Sequence, residues 1–259
     1  MSLRFLAAGA CLICASASAG AGEIPPDQRR SGYELMSRET RAIQDDDATN
    51  PGMLWVLDGE TLWSRKSGAA DRACGDCHGD ARASMKGVAA RYPAFDPARG
   101  RPVSLEQRIN ACRVRNQKAA PLEYESKDLL ALGAYVARQS RGLPIDVKID
   151  ARTKPFLEAG REAFHRRQGQ LNLACAQCHD DHWGKKLAGS VIPQAHPTGY
   201  PIYRLEWQSL GSLGRRLRNC LTGMRAQVPS PGADEFVDLE LYLMWRARGM
   251  KIETPAVRP

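Results

Sequence analysis

The chain has 259 residues, a formal charge of +8, and 43% apolar and 25% charged residues. That length holds two small domains by the usual prior. The basic balance suits anionic substrates, acidic protein partners or plain solubility, and the absence of a basic stripe interleaved with aromatics speaks against nucleic acid.

Residues 1–21 read as a cleavable export leader: Arg4 gives a basic start, residues 5–15 are almost unbroken apolar, and Ala19-Gly20-Ala21 supplies an A-x-A-like cleavage site, with Ala17-Ser18-Ala19 as the alternative. The apolar run is shorter than the roughly 20 residues a bilayer span needs. A lipoprotein reading through Cys11 or Cys14 fits poorly, because the stretch before Cys11 is short and Ile13 precedes Cys14. Nothing later is long and apolar enough to span a membrane, so the expectation is a soluble periplasmic protein. Residues 22–52 are polar and read as an extended lead-in, with Asp45-Asp46-Asp47 as a solvated charge run.

Of eight cysteines, Cys11 and Cys14 leave with the leader, and six remain in an oxidising compartment. Six would ordinarily suggest three disulfides. The spacing says otherwise. Cys74-Gly-Asp-Cys77-His78 and Cys175-Ala-Gln-Cys178-His179 both match the c-type haem attachment signature. Two thiols one helical turn apart can each form a thioether with a haem vinyl group, and the adjacent histidine lies under the iron as proximal ligand. The expectation is two covalent c-type haems, held by Cys74 and Cys77 with His78, and by Cys175 and Cys178 with His179.

The motifs sit in an internal duplication. Gly59, Arg65 and Gly68 precede Cys74 at the intervals at which Gly160, Arg166 and Gly169 precede Cys175, and Trp63 matches Phe164. Beyond the motifs, Tyr92-Pro93-x-Phe95 matches Tyr200-Pro201-x-Tyr203, and Ser104, Leu105, Arg108 and Cys112 fall on Ser212, Leu213, Arg216 and Cys220. The shift between these registers implies an insertion of about seven residues near 182–197, as a gap in such a repeat alignment must. Leu132, Tyr135 and Arg141-Gly142 then match Leu239, Tyr242 and Arg248-Gly249, in stretches of helical apolar spacing that end at glycine. Each unit reads as helix, haem-binding turn, loop, helix with an odd cysteine, and closing helix. The expected fold is all-α, with two tandem cytochrome c-like domains at 53–142 and 158–259 joined by a linker at 143–157.

Cys112 and Cys220 decide the function. One reading is a disulfide between them. Against it, equivalent points of tandem domains are usually far apart, whereas bridged Cα atoms lie within about 7 Å. The other reading makes each cysteine the distal ligand of its own domain's iron. Met85 and His182 follow their proximal histidines too closely to compete, and His196 and Met224 have no counterpart in the first repeat. A thiolate ligand would lower the iron's potential. On a helix, Arg216 lies one turn before Cys220, where its guanidinium fork suits the oxygens of a sulfur oxyanion, with a haem propionate as the alternative partner. The equivalent Arg108 is read as a partner of a haem propionate.

The two haem motifs, the elements Arg108-x-x-x-Cys112 and Arg216-x-x-x-Cys220, and Tyr242-Leu-Met-Trp-Arg-Ala-Arg248 together resemble the dihaem SoxA family, the catalytic subunits of SoxAX cytochromes. The resemblance covers essentially the whole chain after the leader. It implies an L-cysteine S-thiosulfotransferase that oxidatively couples thiosulfate to a cysteine of the carrier SoxYZ, releasing two electrons. It implies that Cys220 is both haem ligand and active-site sulfur, carried as a persulfide, with Arg216 and Arg246 binding thiosulfate. It further implies a heterodimer with the monohaem cytochrome SoxX, which passes electrons to a downstream cytochrome c. Two alternatives remain at this point: a tetrathionate-forming thiosulfate dehydrogenase, and a plain dihaem electron carrier.

Overall fold

A computed structural model describes residues 23–259; the export leader expected at 1–21 lies outside them. The described residues form an all-α protein with three small β elements. The first repeat contains α2 (Gly52–Ser64), the motif helix α3 (Cys74–His78), a single turn α4 (Ala81–Ser84), the hairpin β1 (Ala94–Asp96) and β2 (Arg101–Val103), α5 (Leu105–Cys112) and α6 (Lys127–Arg138). The second contains α7 (Lys154–His165), the motif helix α8 (Cys175–His179), the hairpin β5 (Ile202–Arg204) and β6 (Ser209–Gly211), α9 (Leu213–Gly223) and α10 (Asp234–Arg246). Helix α7 therefore begins inside the segment expected to be linker.

Local sequence explains where the cysteine-bearing helices start. Ser104 accepts from the Gln107 backbone N–H at 3.2 Å while the Gln107 side chain accepts from the Ser104 N–H at 3.1 Å, a reciprocal N-terminal cap. Ser212 caps α9 by accepting from the Arg215 N–H at 3.0 Å. The helices differ downstream: α5 ends at Cys112 and passes into a π-helical turn over Arg113–Gln117, whereas α9 continues to Gly223.

Within each repeat the first and last helices cross at a glycine. A Cβ on Gly59 would lie 2.2 Å from the Ala131 carbonyl oxygen, and one on Gly160 would lie 2.0 Å from that of Asp238. Only a hydrogen at these positions lets α2 meet α6, and α7 meet α10, at backbone contact. That explains why both units carry glycine there.

The hairpins do not stay with their own repeats. Tyr203, Leu210 and Val257 from the second half join Val56, Trp63, Leu130 and Tyr135 in one apolar cluster. Ala90 from the first joins Leu157, Phe164, Leu241 and Tyr242 in the other. The closing strand β7 (Ala256–Arg258) pairs in parallel with β5. Ion pairs bind the halves further: Arg101 reaches Asp234 at 2.6 Å and Asp238 at 2.8 Å.

The lead-in is not extended. It folds into 3-10 turns at Pro26–Gln28 and Gly32–Leu35 and helix α1 (Arg38–Asp45), which packs on β7. Nor is its acidic run merely solvated: Asp47 pairs with Arg138 at 2.6 Å and Arg141 at 2.8 Å, and Tyr33 donates to Asp45 at 2.6 Å. The insertion after the second motif forms a hairpin of β3 (Lys186–Leu187) and β4 (Ser190–Val191), with Trp183 and Leu187 exposed. Among the described residues no helix is long and apolar enough to cross a membrane.

Candidate haem sites and the Cys220 cavity

Helices α3 and α8 are short because they are defined by their caps. Asp76 accepts from the Ala73 N–H and Gln177 from the Ala174 N–H, each at 2.8 Å, three residues back. The resulting turn sets Cys74 and Cys77, and likewise Cys175 and Cys178, on one face at i, i+3.

Cys74, Cys77, Cys112, Cys175, Cys178 and Cys220 are all free thiols, so the disulfide alternative for Cys112 and Cys220 is absent from the structure. Each odd cysteine instead sits with the motif of its own repeat. Cys112 is within electrostatic reach of Cys74 and Cys77, and Cys220 within reach of Cys175 and Cys178. Burial raises the Cys112 thiol, opposed by Arg108 and Arg115. Burial and then the Cys220 sulfur push Cys175 up to about 11.

The two histidines differ. The Nδ1–H of His179 donates to the Pro193 carbonyl oxygen at 2.6 Å, which fixes the tautomer and leaves the Nε2 lone pair free. Burial first, then Arg216 and Arg246, lower its pKa and keep it neutral, as a ligand must be. His78 is exposed and rests against Trp63, with ring centroids 5.7 Å apart. Trp63 in turn donates to the Gly79 carbonyl at 3.0 Å and so steadies the end of the motif.

His179 and Cys220 line one cavity of about 380 Å³, together with Pro193, Tyr200, Arg204 and Arg216. A pair of thiols for thioethers, a neutral imidazole with a free Nε2, and a second sulfur bordering the same space form a donor set that fits a c-type haem. In the first repeat the same donor types are grouped on a more open surface.

Arg216 lies one turn before Cys220 on α9 and borders this cavity, as the spacing predicts. Arg108 is paired with Asp96 at 3.3 Å. Arg246 does not border this cavity. Its guanidinium is buried, holds Asp180 at 2.5 Å, and lies 4.5 Å over the Phe164 ring. It faces a separate cavity with His165, Tyr242 and Trp245. The resemblance implies a substrate role for Arg246; here its guanidinium meets the carboxylate of Asp180, the residue following His179.

Of the competing ligands, Met224 is packed with Leu221 and Phe236 in a small apolar cluster and does not border the cavity. His196 does border it, with Nδ1 donating to the Arg30 carbonyl at 2.9 Å and Nε2 buried without a partner. Burial pushes its pKa down to about 4. Pro193, Tyr200 and Arg204 escaped the sequence reading. Arg204 carried a visible signal, because the repeat register sets it opposite Asp96.

A family model described as "SoxA/TsdA, cytochrome c domain" matches the chain twice, over residues 58–145 and 159–252. The chain is 39% identical over 235 residues to the L-cysteine S-thiosulfotransferase subunit SoxA of Pseudaminobacter salicylatoxidans, covering 90% of this chain and 82% of that protein. It is 33% identical to the SoxA subunit of Paracoccus pantotrophus, covering 88% and 78%. The crystal structure of SoxXA from P. pantotrophus contains a chain that superposes with a TM-score of 0.86 at 31% identity, covering 89% of this chain and 87% of that one. The chain belongs to the SoxA family of cytochrome c-domain proteins, whose domain implies covalently bound haem.

Proposed function

We propose that the protein is a periplasmic dihaem c-type cytochrome and the catalytic subunit of an L-cysteine S-thiosulfotransferase. Cys74, Cys77, His78 and Cys112 would hold one haem, and Cys175, Cys178, His179 and Cys220 the other. The reaction joins the terminal sulfur of thiosulfate to a cysteine of the carrier SoxYZ. A carrier thiol and thiosulfate become a carrier S-thiosulfonate, one proton and two electrons, and a downstream cytochrome c takes the electrons through SoxX, the monohaem partner.

The observation that carries this reading is that Arg216, Cys220 and His179 border a single cavity. A haem held by these residues would supply the electron acceptor for the oxidation. Cys220 presents a sulfur to the cavity, which as a persulfide or thiolate meets the substrate's terminal sulfur. Arg216 holds the sulfonate oxygens and so orients that sulfur towards Cys220. His179, fixed by Pro193, keeps the site in register. The SoxX partnership is supported by the likeness to a chain of the SoxXA structure.

The test is conjugation by the purified holoprotein with SoxX, read as a mass gain on the SoxYZ cysteine peptide, alongside a haem count of two per chain. Tetrathionate formed without any carrier would replace this reading with a thiosulfate dehydrogenase. Electron transfer with neither product would leave an electron carrier.

A further inference from the structure

In the first repeat, Arg108 on α5 is neutralised by Asp96, the last residue of β1, whose side chain is only 3% exposed. The hairpins of the two repeats have the same register. Ala94 faces Val103 and Asp96 faces Arg101 in one; Ile202 faces Gly211 and Arg204 faces Ser209 in the other. The residue equivalent to Asp96 is therefore Arg204, and the residue equivalent to Arg108 is Arg216. Where the first repeat has an arginine and a carboxylate, the second has two arginines.

Among the described residues Arg216 forms no ion pair, and both arginines border the Cys220 cavity. Arg204 is 13% exposed and lies 5.2 Å over the Trp207 ring; its Nε is 3.0 Å from the exposed Glu206 carboxylate but makes no hydrogen bond to it. Burial and the neighbouring Arg216 both disfavour its charge, while Glu206, Tyr200 and Cys220 favour it. Two guanidinium groups close enough to repel each other in a recess are costly unless an anion, a haem propionate or a substrate oxyanion, lies between them.

We propose that Arg204 is the second arm of an anion clamp with Arg216, and that this pair selects a doubly charged sulfur oxyanion over a singly charged one. The proposal rests on the reading of the Cys220 cavity as the thiosulfate site. It also gives a reason why only one repeat reacts: Asp96 occupies the anion position in the first, so Arg108 is structural there. Substrate charge is read by the side chain that ends β5, and the orientation of its sulfur by Arg216.

The experiment is calorimetric binding of thiosulfate, and of methanethiosulfonate, to the holoprotein. The second ligand keeps the terminal sulfur and carries one charge fewer. Arg204→Gln should weaken thiosulfate about tenfold or more, the worth of one charge-assisted hydrogen bond, and methanethiosulfonate less than about threefold. Arg204→Lys should restore most of the preference for the dianion. Arg204→Asp, which recreates the pair of the first repeat, should remove measurable thiosulfate binding while the haem absorbance spectrum persists. Equal weakening of both ligands, or a shifted haem potential with unchanged binding, overturns the clamp and makes Arg204 structural. A parent protein that binds no thiosulfate also overturns it. Binding without conjugation to SoxYZ keeps the clamp and removes the proposed reaction instead.

Discussion

Gly160 and Asp238 touch through their backbones: a methyl group on the glycine would sit 2.0 Å from the aspartate's carbonyl oxygen. Helix α7 therefore cannot back away from α10 without opening the core around Phe164 and Leu157, which it buries. Gly160→Ala should cost about 1–3 kcal/mol by overpacking, a fall in Tm of about 2–12 °C for a chain of this size. Gly59→Ala, whose methyl would meet the Ala131 carbonyl, should behave alike. Thermal unfolding of the holoproteins checks both; an unchanged Tm would show that the helices can slide apart cheaply.

Arg101 joins the two repeats through Asp234 and Asp238. Burial raises the Asp238 pKa and Arg101 opposes that rise. Arg101→Ala leaves a half-buried carboxylate without its cation, and should lower stability by about 1–3 kcal/mol at pH 7. Removing the cation lifts the Asp238 pKa further, so protonation relieves the defect. The gap between variant and parent should shrink as pH falls towards 4.5. A gap of constant size would assign the loss to packing over Phe156, which Arg101 also covers.

Glu240 and Glu106 line a small cavity between the repeats with Glu125, Arg215 and Arg218. Burial, then Glu106, raises the Glu240 pKa well above the ordinary carboxylate range. The folded protein keeps a proton that the unfolded chain loses, so this group subtracts stability as pH rises from the ordinary carboxylate pKa through its folded one. Glu240→Gln should give a higher Tm than the parent at pH 7–8, with the two curves converging near pH 4.5. Parallel curves would mean that the carboxylate is solvated.

The proposed division of labour predicts that Cys220→Ala abolishes conjugation. Cys112→Ala should change the first haem's low-spin ferric resonance and leave conjugation at least partly intact. Electron paramagnetic resonance of the oxidised protein should show thiolate-type signals that each variant removes in part. Signals of only His/Met or bis-His character in the parent would rule out cysteine ligation.

Arg216 and Arg246 should separate cleanly. Arg216→Lys keeps the charge and loses the fork, and should cut kcat/KM for thiosulfate about ten- to a hundredfold. Arg246→Gln breaks a buried ion pair with Asp180, and should lower Tm while the KM for thiosulfate holds. A large KM rise in the Arg246 variant would return it to the substrate site.

The proposed chemistry is legible in the sequence because it is local. Haem attachment needs two cysteines and a histidine within one turn, and the Arg-x-x-x-Cys element needs only a helix to put Arg216 beside Cys220. The duplication adds symmetry, which pairs each odd cysteine with its own motif. What depends on distant segments was not legible. Arg246 is helical as expected, but the loop that brings Asp180 beneath it decides that it binds a carboxylate of the protein. The lead-in reads as polar coil, yet Asp47 finds Arg138 and Arg141, and β7 gives α1 a surface to cover. The hairpins lean on the opposite repeat because the two cores are completed reciprocally, a condition that no local pattern encodes. Sequence fixes which groups can bind iron and sulfur, since covalent spacing does that work. Tertiary packing alone decides which arginines keep a free charge, since that depends on where the carboxylates end up.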